Sequence, residues 1–393
     1  MRSELPGKVL VLGLGRSGQA ASAALAREGV EVIGADRKLG NDDDLGLLDG
    51  VELFVKSPGV PGEHPLVVEA RRRAISICSE VELGYRLLPR SRFVGVTGTK
   101  GKTTTSELLG AIFRAAGRDV VVAGNVGRPL TDVDEADWVV CELSSFQLED
   151  VHELELEVAV LLNLEPDHLD RHKTFAAYKA AKLRILERAQ HKVVPRGSGF
   201  DGIEFSEDDP LPTEPRIPGA HNRANAAAAA AAARAVGVAD AAIREGLQTF
   251  PGVPHRLELV RELDGVRFVN DSIATNTLAV RRGVEAYGAP VRLILGGRAK
   301  GEDFRPFAQA LPANVSSIYL IGEAAVELAA ALDAAGRGYE HAERLDRAVE
   351  LAAAAAHTGD VVLLSPACAS YDQFESFEER GEEFRRLVQN LTS

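Results

Sequence analysis

Residues 97–104 read Thr97-Gly98-Thr99-Lys100-Gly101-Lys102-Thr103-Thr104, directly after the apolar run Phe93–Val96 and directly before a helix-forming stretch. A strand that turns through glycines into a helix points backbone amides at an anion, and the helix start adds partial positive charge. In such a loop Lys102 can reach the β- and γ-phosphate oxygens, and the hydroxyl of Thr103 or Thr104 can ligate Mg²⁺. The spacing departs from GxxxxGK[ST], which would place glycine at position 96, where valine stands. The segment reads as an ATP-binding phosphate loop of a particular type.

On both sides of this loop, short β-branched runs alternate with Ala-rich helical stretches, the pattern of parallel strands joined by helical crossovers. The fold class is α/β throughout. A chain of 393 residues is too long for one compact core. Pro and Gly interrupt the pattern near Pro89–Arg92 and Phe250–Pro254, which predicts three domains: 1–90, 91–252 and 253–393. The run Ala226–Ala233 follows His221, Asn222 and Asn225 and reads as a tightly packed helix rather than low complexity.

The segment Gly13-Leu14-Gly15-Arg16-Ser17-Gly18 follows a strand over Val9–Leu12 and opens a helix predicted to reach about Arg27. This is a GxGxxG turn in its proper context. The next strand, Val30–Ala35, delivers Asp36 and Arg37 to its carboxyl end, where an acidic side chain commonly meets a ribose. Alone, this block suggests a nicotinamide dinucleotide and a dehydrogenase.

Composition narrows the classes. Hydrophobic residues make up 45% and charged residues 26% of the chain, ordinary globular values. The formal charge of -13 argues against a general nucleic-acid binder, so any anionic ligand must meet local amides, particular basic side chains or bound cations. The apolar stretch near the amino terminus is too short for a signal-peptide core or a membrane helix, and a cytoplasmic protein without a membrane partner is expected. Cys78, Cys141 and Cys368 are far apart and lack a CxxC pair, so they read as reduced packing residues.

Three further clusters carry potential chemistry. Glu142 follows the apolar strand Trp138–Cys141, where a strand-end carboxylate can hold the Mg²⁺ of a nucleotide. Asn163, Glu165, Asp167 and His168 follow another apolar strand. Lys182, within the helical segment Tyr178–Ile185, reads from helix physics alone as a solvated lysine.

Taken together, the loop TGTKGKTTT, the segment ELSSFQL from Glu142 to Leu148, the DHLD segment around His168 and the HNRANA segment from His221 resemble the Mur ligase family over essentially the whole chain. That resemblance implies an ATP-binding set of Gly98, Thr99, Lys100, Gly101, Lys102, Thr103, Thr104, Asn222, Asn225, Arg256 and Asp271. It implies a catalytic group of Lys102, Glu142, His168 and Lys182, and two Mg²⁺ sites using Thr103, Glu142, His168 and a carbamylated Lys182. It also reassigns the first glycine turn from NAD to the UDP moiety of a muramoyl substrate. Leu14, Arg16, Ser17, Asp36, Arg37, Ser57, Gly59, Asn125, Ser144 and Gln147 become its candidate contacts.

The segments Asn270–Asn276 (NDSIATN) and Ser365–Phe374 (SPACASYDQF) resemble the members of the family that add D-glutamate to UDP-N-acetylmuramoyl-L-alanine. By that likeness Thr275, Lys300, Ser370, Tyr371 and Phe377 surround the amino acid, with Lys300 and hydroxyls binding carboxylate. Two positions depart: Ile273 stands where the family usually has lysine, and Arg298 stands in place of an acidic residue or its neighbour in the GGxxKG segment. The implied chemistry is an acyl phosphate made from ATP and trapped by the amine, in a monomer acting on small molecules. The alternatives are a sister ligase using another acceptor such as L-glutamate, a plain phosphate-loop ATPase, and the dehydrogenase.

Overall fold

The computed structural model describes residues 5–217 and 219–392. Three sheets form in chain order. The first comprises β1 (Lys8–Leu12), β2 (Glu31–Ala35), β3 (Leu53–Lys56) and β4 (Ser76–Ser79), paired in the order β2-β1-β3-β4 with every pair parallel. Parallel sheets are covered on both faces, so their strands are apolar at successive positions. In β1, Leu10 and Leu12 pack into one buried cluster and Val9 and Val11 into another, the alternation of a pleated strand used on both sides.

The second sheet comprises β5 (Arg92–Thr97), β6 (Val120–Gly124), β7 (Trp138–Glu142), β8 (Leu156–Leu161), β9 (Ala189–Pro195) and β10 (Ile203–Phe205), in the order β10-β9-β8-β5-β7-β6. β5 lies between β8 and β7, its two parallel neighbours. The chain leaves β5 at the point where strand order reverses, the place where open α/β sheets bind ligands. The helix Lys102–Ala115 starts there.

Two helices pack on that one. Ala220–Ala235 presents a nearly continuous buried alanine face, and Asp240–Thr249 approaches so closely that a Cβ on Gly246 would lie 2.6–2.8 Å from Ile112. The alanine run is therefore a small-residue face that lets helices approach.

The third sheet comprises β11 (Glu258–Leu263), β12 (Val266–Asn270), β13 (Val291–Gly296), β14 (Val315–Ile321), β15 (Glu340–Glu343) and β16 (Val361–Ala367), in the order β11-β12-β16-β13-β14-β15. Here the expectation of parallel strands throughout is corrected, because β11 runs antiparallel to β12. The cause is local. Asp264 and Gly265 both adopt positive φ, 52° and 76°, which suits the tight hairpin turns that Asp-Gly favours.

Contacts divide the chain into two compact units, one ending at Phe250 and holding the first two sheets, the other beginning at Pro251 and holding the third. Among the described residues no helix is long and apolar enough to cross a membrane.

Within the second unit, the carboxyl ends of β12, β13 and β16 are gathered by one buried guanidinium. Arg380, 1% exposed, donates to the Ser272 hydroxyl (2.9 Å) and carbonyl (2.9 Å), and to the carbonyls of Cys368 (3.2 Å), Ala369 (3.3 Å) and Gly296 (3.5 Å). Burial lowers its pKa to about 10, still far above neutrality, so it stays charged. Arg380→Met would keep the packing volume but strand most of these buried acceptors, each costing about 1–3 kcal/mol, while the Ala369 carbonyl would keep the Arg298 amide at 2.8 Å. The urea midpoint of the chain should fall; an unchanged midpoint would show that the carbonyls find other donors.

Candidate active site

The phosphate loop is built from both of its flanks. Gly101 precedes the helix at φ 85°, and a Cβ there would sit 2.4 Å from the amide oxygen of Asn225, so glycine is required and Asn225 lies directly against the loop. Asn163 laces the loop backbone, accepting from the Lys100 amide (2.9 Å) and donating to the Lys100 carbonyl (3.0 Å). The Thr99 hydroxyl bonds to Tyr178 (2.9 Å) and accepts from the Glu165 amide (2.9 Å). Lys100 reaches Asp167 at 3.3 Å on the exposed side.

Two lysines converge on one carbonyl. Lys102 donates to the carbonyls of Gly98 (3.0 Å) and Thr99 (3.1 Å), and Lys182 donates to that of Gly98 (2.8 Å) and more weakly to the Thr97 hydroxyl (3.4 Å). Lys182 is 2% exposed, so the solvated-lysine reading is overturned. Its helix, Phe175–Leu183, places Tyr178 one turn earlier on the same face, with the ammonium 5.0 Å from the Tyr178 ring. Burial first, and the nearby Lys102 charge second, lower its pKa to about 7.

At the end of β7, Glu142 is buried and accepts from the Asn125 amide at 2.9 Å, which joins an expected metal ligand to an expected sugar contact. Ser144 and Gln147 form a capping box on the short helix Ser145–Leu148, and Gln147 is buried within it. Thr103 is half-buried and Thr104 buried in the first turn after the loop. His168 is exposed and held at φ 52°. Among the described residues no three His, Cys, Asp or Glu side chains cluster as a metal site. The donor chemistry of Thr103 and Glu142, hydroxyl and carboxylate, fits Mg²⁺. The amine of Lys182 does not, unless it is converted to an anion.

Around the first glycine turn, the Leu14 amide donates to Asp36 (2.6 Å) and the Ser57 hydroxyl to the Gly13 carbonyl. Gly18 admits no side chain, because a Cβ would lie 1.9 Å from the Gly13 oxygen. Asp36 also caps the backbone at Lys38, and these two amides, Lys38 first, hold its carboxyl below the usual range. Arg16 reaches the Gly127 carbonyl at 3.2 Å; Ser17 is half-buried; Arg37 and Gly59 are exposed.

In the second unit, Lys300 donates to the Thr275 hydroxyl at 2.9 Å, bringing two expected amino-acid contacts together. Ser370 is buried, Phe377 is half-buried at the head of the helix Phe377–Gln389, and Tyr371 is exposed. Arg256 is exposed. Asp271 directly follows the carboxyl end of β12, but it is enclosed there. It is 4% exposed and accepts from Ser365 (2.7 Å) and the Leu257 amide (3.2 Å), with burial raising its pKa to about 7. Arg298 forms a two-pronged pair with Glu323 at 3.0 and 3.2 Å.

Sequence reasoning missed Tyr178 and Arg380. The signal for each was spacing: Tyr178 stands four residues before Lys182, and Arg380 shares a helical stripe with Phe384 and Val388, all buried.

Residues 96–196 match the model of the Mur ligase middle domain, and residues 255–368 that of the Mur ligase, glutamate ligase domain. The UDP-N-acetylmuramoylalanine--D-glutamate ligase of Desulfitobacterium hafniense is 40% identical, with 97% of each chain covered. That of Gloeobacter violaceus is 41% identical, covering 99% of this chain and 95% of the relative. Among solved structures, the UDP-N-acetylmuramate-alanine ligase of Thermotoga maritima superposes with a TM-score of 0.63 over 97% of this chain and 99% of the other, at 18% identity, a likeness of fold. A phosphate loop of this build, matching domains on both compact units and relatives alike over nearly their full length lead to one conclusion: the chain belongs to the Mur ligase family.

Proposed function

We propose that this chain is the ATP-dependent ligase that adds D-glutamate to UDP-N-acetylmuramoyl-L-alanine, a step of peptidoglycan precursor synthesis. The observation that carries the reading is the near full-length likeness, at about 40% identity, to relatives named for that activity. The three functional regions, 1–90 for the UDP moiety, 91–252 for ATP and 253–393 for the amino acid, follow the three sheets in chain order. ATP and nucleotide sugars are cytoplasmic metabolites, so the activity is placed there, in a monomer.

In this reading the alanyl carboxylate attacks the γ-phosphorus of ATP and ADP leaves. The amine of glutamate then attacks the acyl-phosphate carbonyl; the tetrahedral adduct collapses, phosphate departs and the amine proton is lost. Loop amides and Lys102 hold the phosphates, and the first glycine turn with Ser57, Asp36 and Leu14 holds the UDP end. Asn225 orients the nucleotide end of the loop. Lys300, with Thr275 and Ser370, binds glutamate carboxylate.

Mg²⁺, when bound, neutralises charge on the transferring phosphoryl group. Thr103 and Glu142 would hold one ion, and Glu142, His168 and Lys182 as a carbamate the second. The support for the carbamate is twofold. A buried amine with a pKa of about 7, against an ordinary 10.5, is substantially neutral at physiological pH and so able to add CO₂. The product is the anion that a cation site beside Glu142 requires.

L-glutamate as acceptor is the second reading, favoured by the two departures at Ile273 and Arg298. The pairing of Arg298 with Glu323 weakens it, because that guanidinium already has a carboxylate. Arg298→Ala therefore tests whether the charge takes part: participation predicts a raised KM for glutamate with an unchanged KM for ATP, and identical kinetics would remove Arg298 from the site.

Phosphate release from ATP should require both UDP-N-acetylmuramoyl-L-alanine and D-glutamate, and L-glutamate, L-alanine and diaminopimelate should fail as acceptors. Dependence on another amino acid would keep the mechanism and change the substrate; acceptor-independent release would return a plain ATPase. Lys182→Ala should lose activity on the order of a hundredfold or more, the loss of a positioned charge in the site. Short carboxylic acids should restore part of it. A variant that formate or acetate cannot revive would leave the carbamate without support.

A further inference from the structure

Between the loop Ser57–Val60, on the carboxyl side of β3, and the phosphate loop, after β5, the first unit carries an unbroken line of contacting side chains. Arg171 donates to the carbonyls of Pro58 (2.9 Å) and Val60. Its guanidinium lies 4.4 Å from the centre of the Phe146 ring. Phe146 stacks on His172 with centroids 5.1 Å apart and planes 9° from parallel. His172 meets Tyr178 edge-on at 5.3 Å, and the Tyr178 hydroxyl bonds to Thr99 of the phosphate loop at 2.9 Å.

Each link is held from the side. His172 is buried between the Ser145 hydroxyl (2.9 Å) and Glu149 (3.3 Å), and Glu149 lies 3.5 Å from Lys56, the last residue of β3. Lys56, 1% exposed, is anchored to Asp150 at 2.8 Å. The ring of His168 rests 5.0 Å from Phe146, on the same stack.

The geometry points to Arg171 as a positioning residue that sets the 57–60 loop in register with the phosphate loop. This inference rests on the proposed ligase reading, in which the first loop holds the nucleotide sugar and the second holds ATP. Their separation then decides whether the acceptor carboxylate meets the γ-phosphorus. A two-pronged guanidinium on two carbonyls fixes direction as well as distance, which one ammonium cannot do. The aromatic faces transmit that placement with few soft torsions, and a misplacement of about 1 Å between reacting groups can cost about a hundredfold in rate. Arg171 touches neither reacting atom; it acts through the loop it holds.

The test is Arg171→Met and Arg171→Lys in the full chain, with binding of UDP-N-acetylmuramoyl-L-alanine and of a non-hydrolysable ATP analogue measured by calorimetry, and kcat by coupled phosphate release. Arg171→Met should lower kcat by about 10- to 100-fold. Both dissociation constants and the thermal midpoint should change little, and Arg171→Lys should recover part of the rate. Phe146→Leu, which leaves the Arg171–carbonyl bonds in place, should lower kcat in the same way and serves if Arg171→Met folds poorly. An unchanged kcat, or a loss matched by equal losses in binding and thermal midpoint, would overturn the positioning role. Wild-type protein that binds ATP analogue but no nucleotide sugar would instead overturn the ligase reading, and this inference with it.

Discussion

The carbonyl of Gly98 accepts from both Lys102 and Lys182, and much of the first unit is arranged around that convergence. Two ammonium groups within reach of one oxygen repel, and one of them is buried. The protein answers unequally. Lys102 begins a helix and is half-buried, so it can extend toward an anion, whereas Lys182 is enclosed and driven toward neutrality. A triphosphate relieves the repulsion from one side, and conversion of Lys182 to an anion would relieve it from the other. The site is thus poised for an anionic ligand although the chain as a whole carries a charge of -13.

The same economy governs the carboxylates. Glu142 is buried but tied to Asn125, and Asp36 is tied to two amides at the first glycine turn. Asp271 is enclosed and raised to about 7, and it clasps Leu257 and Ser365, holding the residue beside Arg256 against β16. That clasp explains how the backbone near Arg256 sustains positive φ at His255 (61°) and Leu257 (44°), since such conformations persist only where surroundings over-determine them.

Much of this was legible beforehand, and what was not has a physical reason. Strand-loop-helix order at Gly13 and Gly98 is a local signal, as glycine tolerance and helix starts depend on neighbours in sequence. Burial is not local. Lys182 on a helix is ordinarily solvated, and only the third dimension places it beneath the phosphate loop; Tyr178, four residues earlier, was the hint in the sequence. The antiparallel β11 was announced by Asp264-Gly265 and was overlooked because alternation of strands with helices dominated the reading of that region. Arg380 was hidden by its own chemistry, since an arginine in a helix rich in Glu and Arg reads as surface until Phe384 and Val388 are aligned with it.

Arg380 and Arg171 answer the same problem with the same group. Each must hold loops that leave parallel strands, where carbonyls no longer have a neighbouring strand to pair with along their length. A guanidinium offers five donors in a plane and can gather several such carbonyls at once. Arg380 joins the ends of β12, β13 and β16, and Arg171 fixes the turn after β3. Lysine at either place would satisfy fewer oxygens and leave the loop free to rotate about a single bond. In the proposed ligase reaction two bound substrates are aligned without attack by the protein, so rigidity of the loop that Arg171 holds would itself be functional. Neither Arg380, which is buried, nor Arg171, which is half-buried, need touch a ligand to matter: each acts through the backbone it holds.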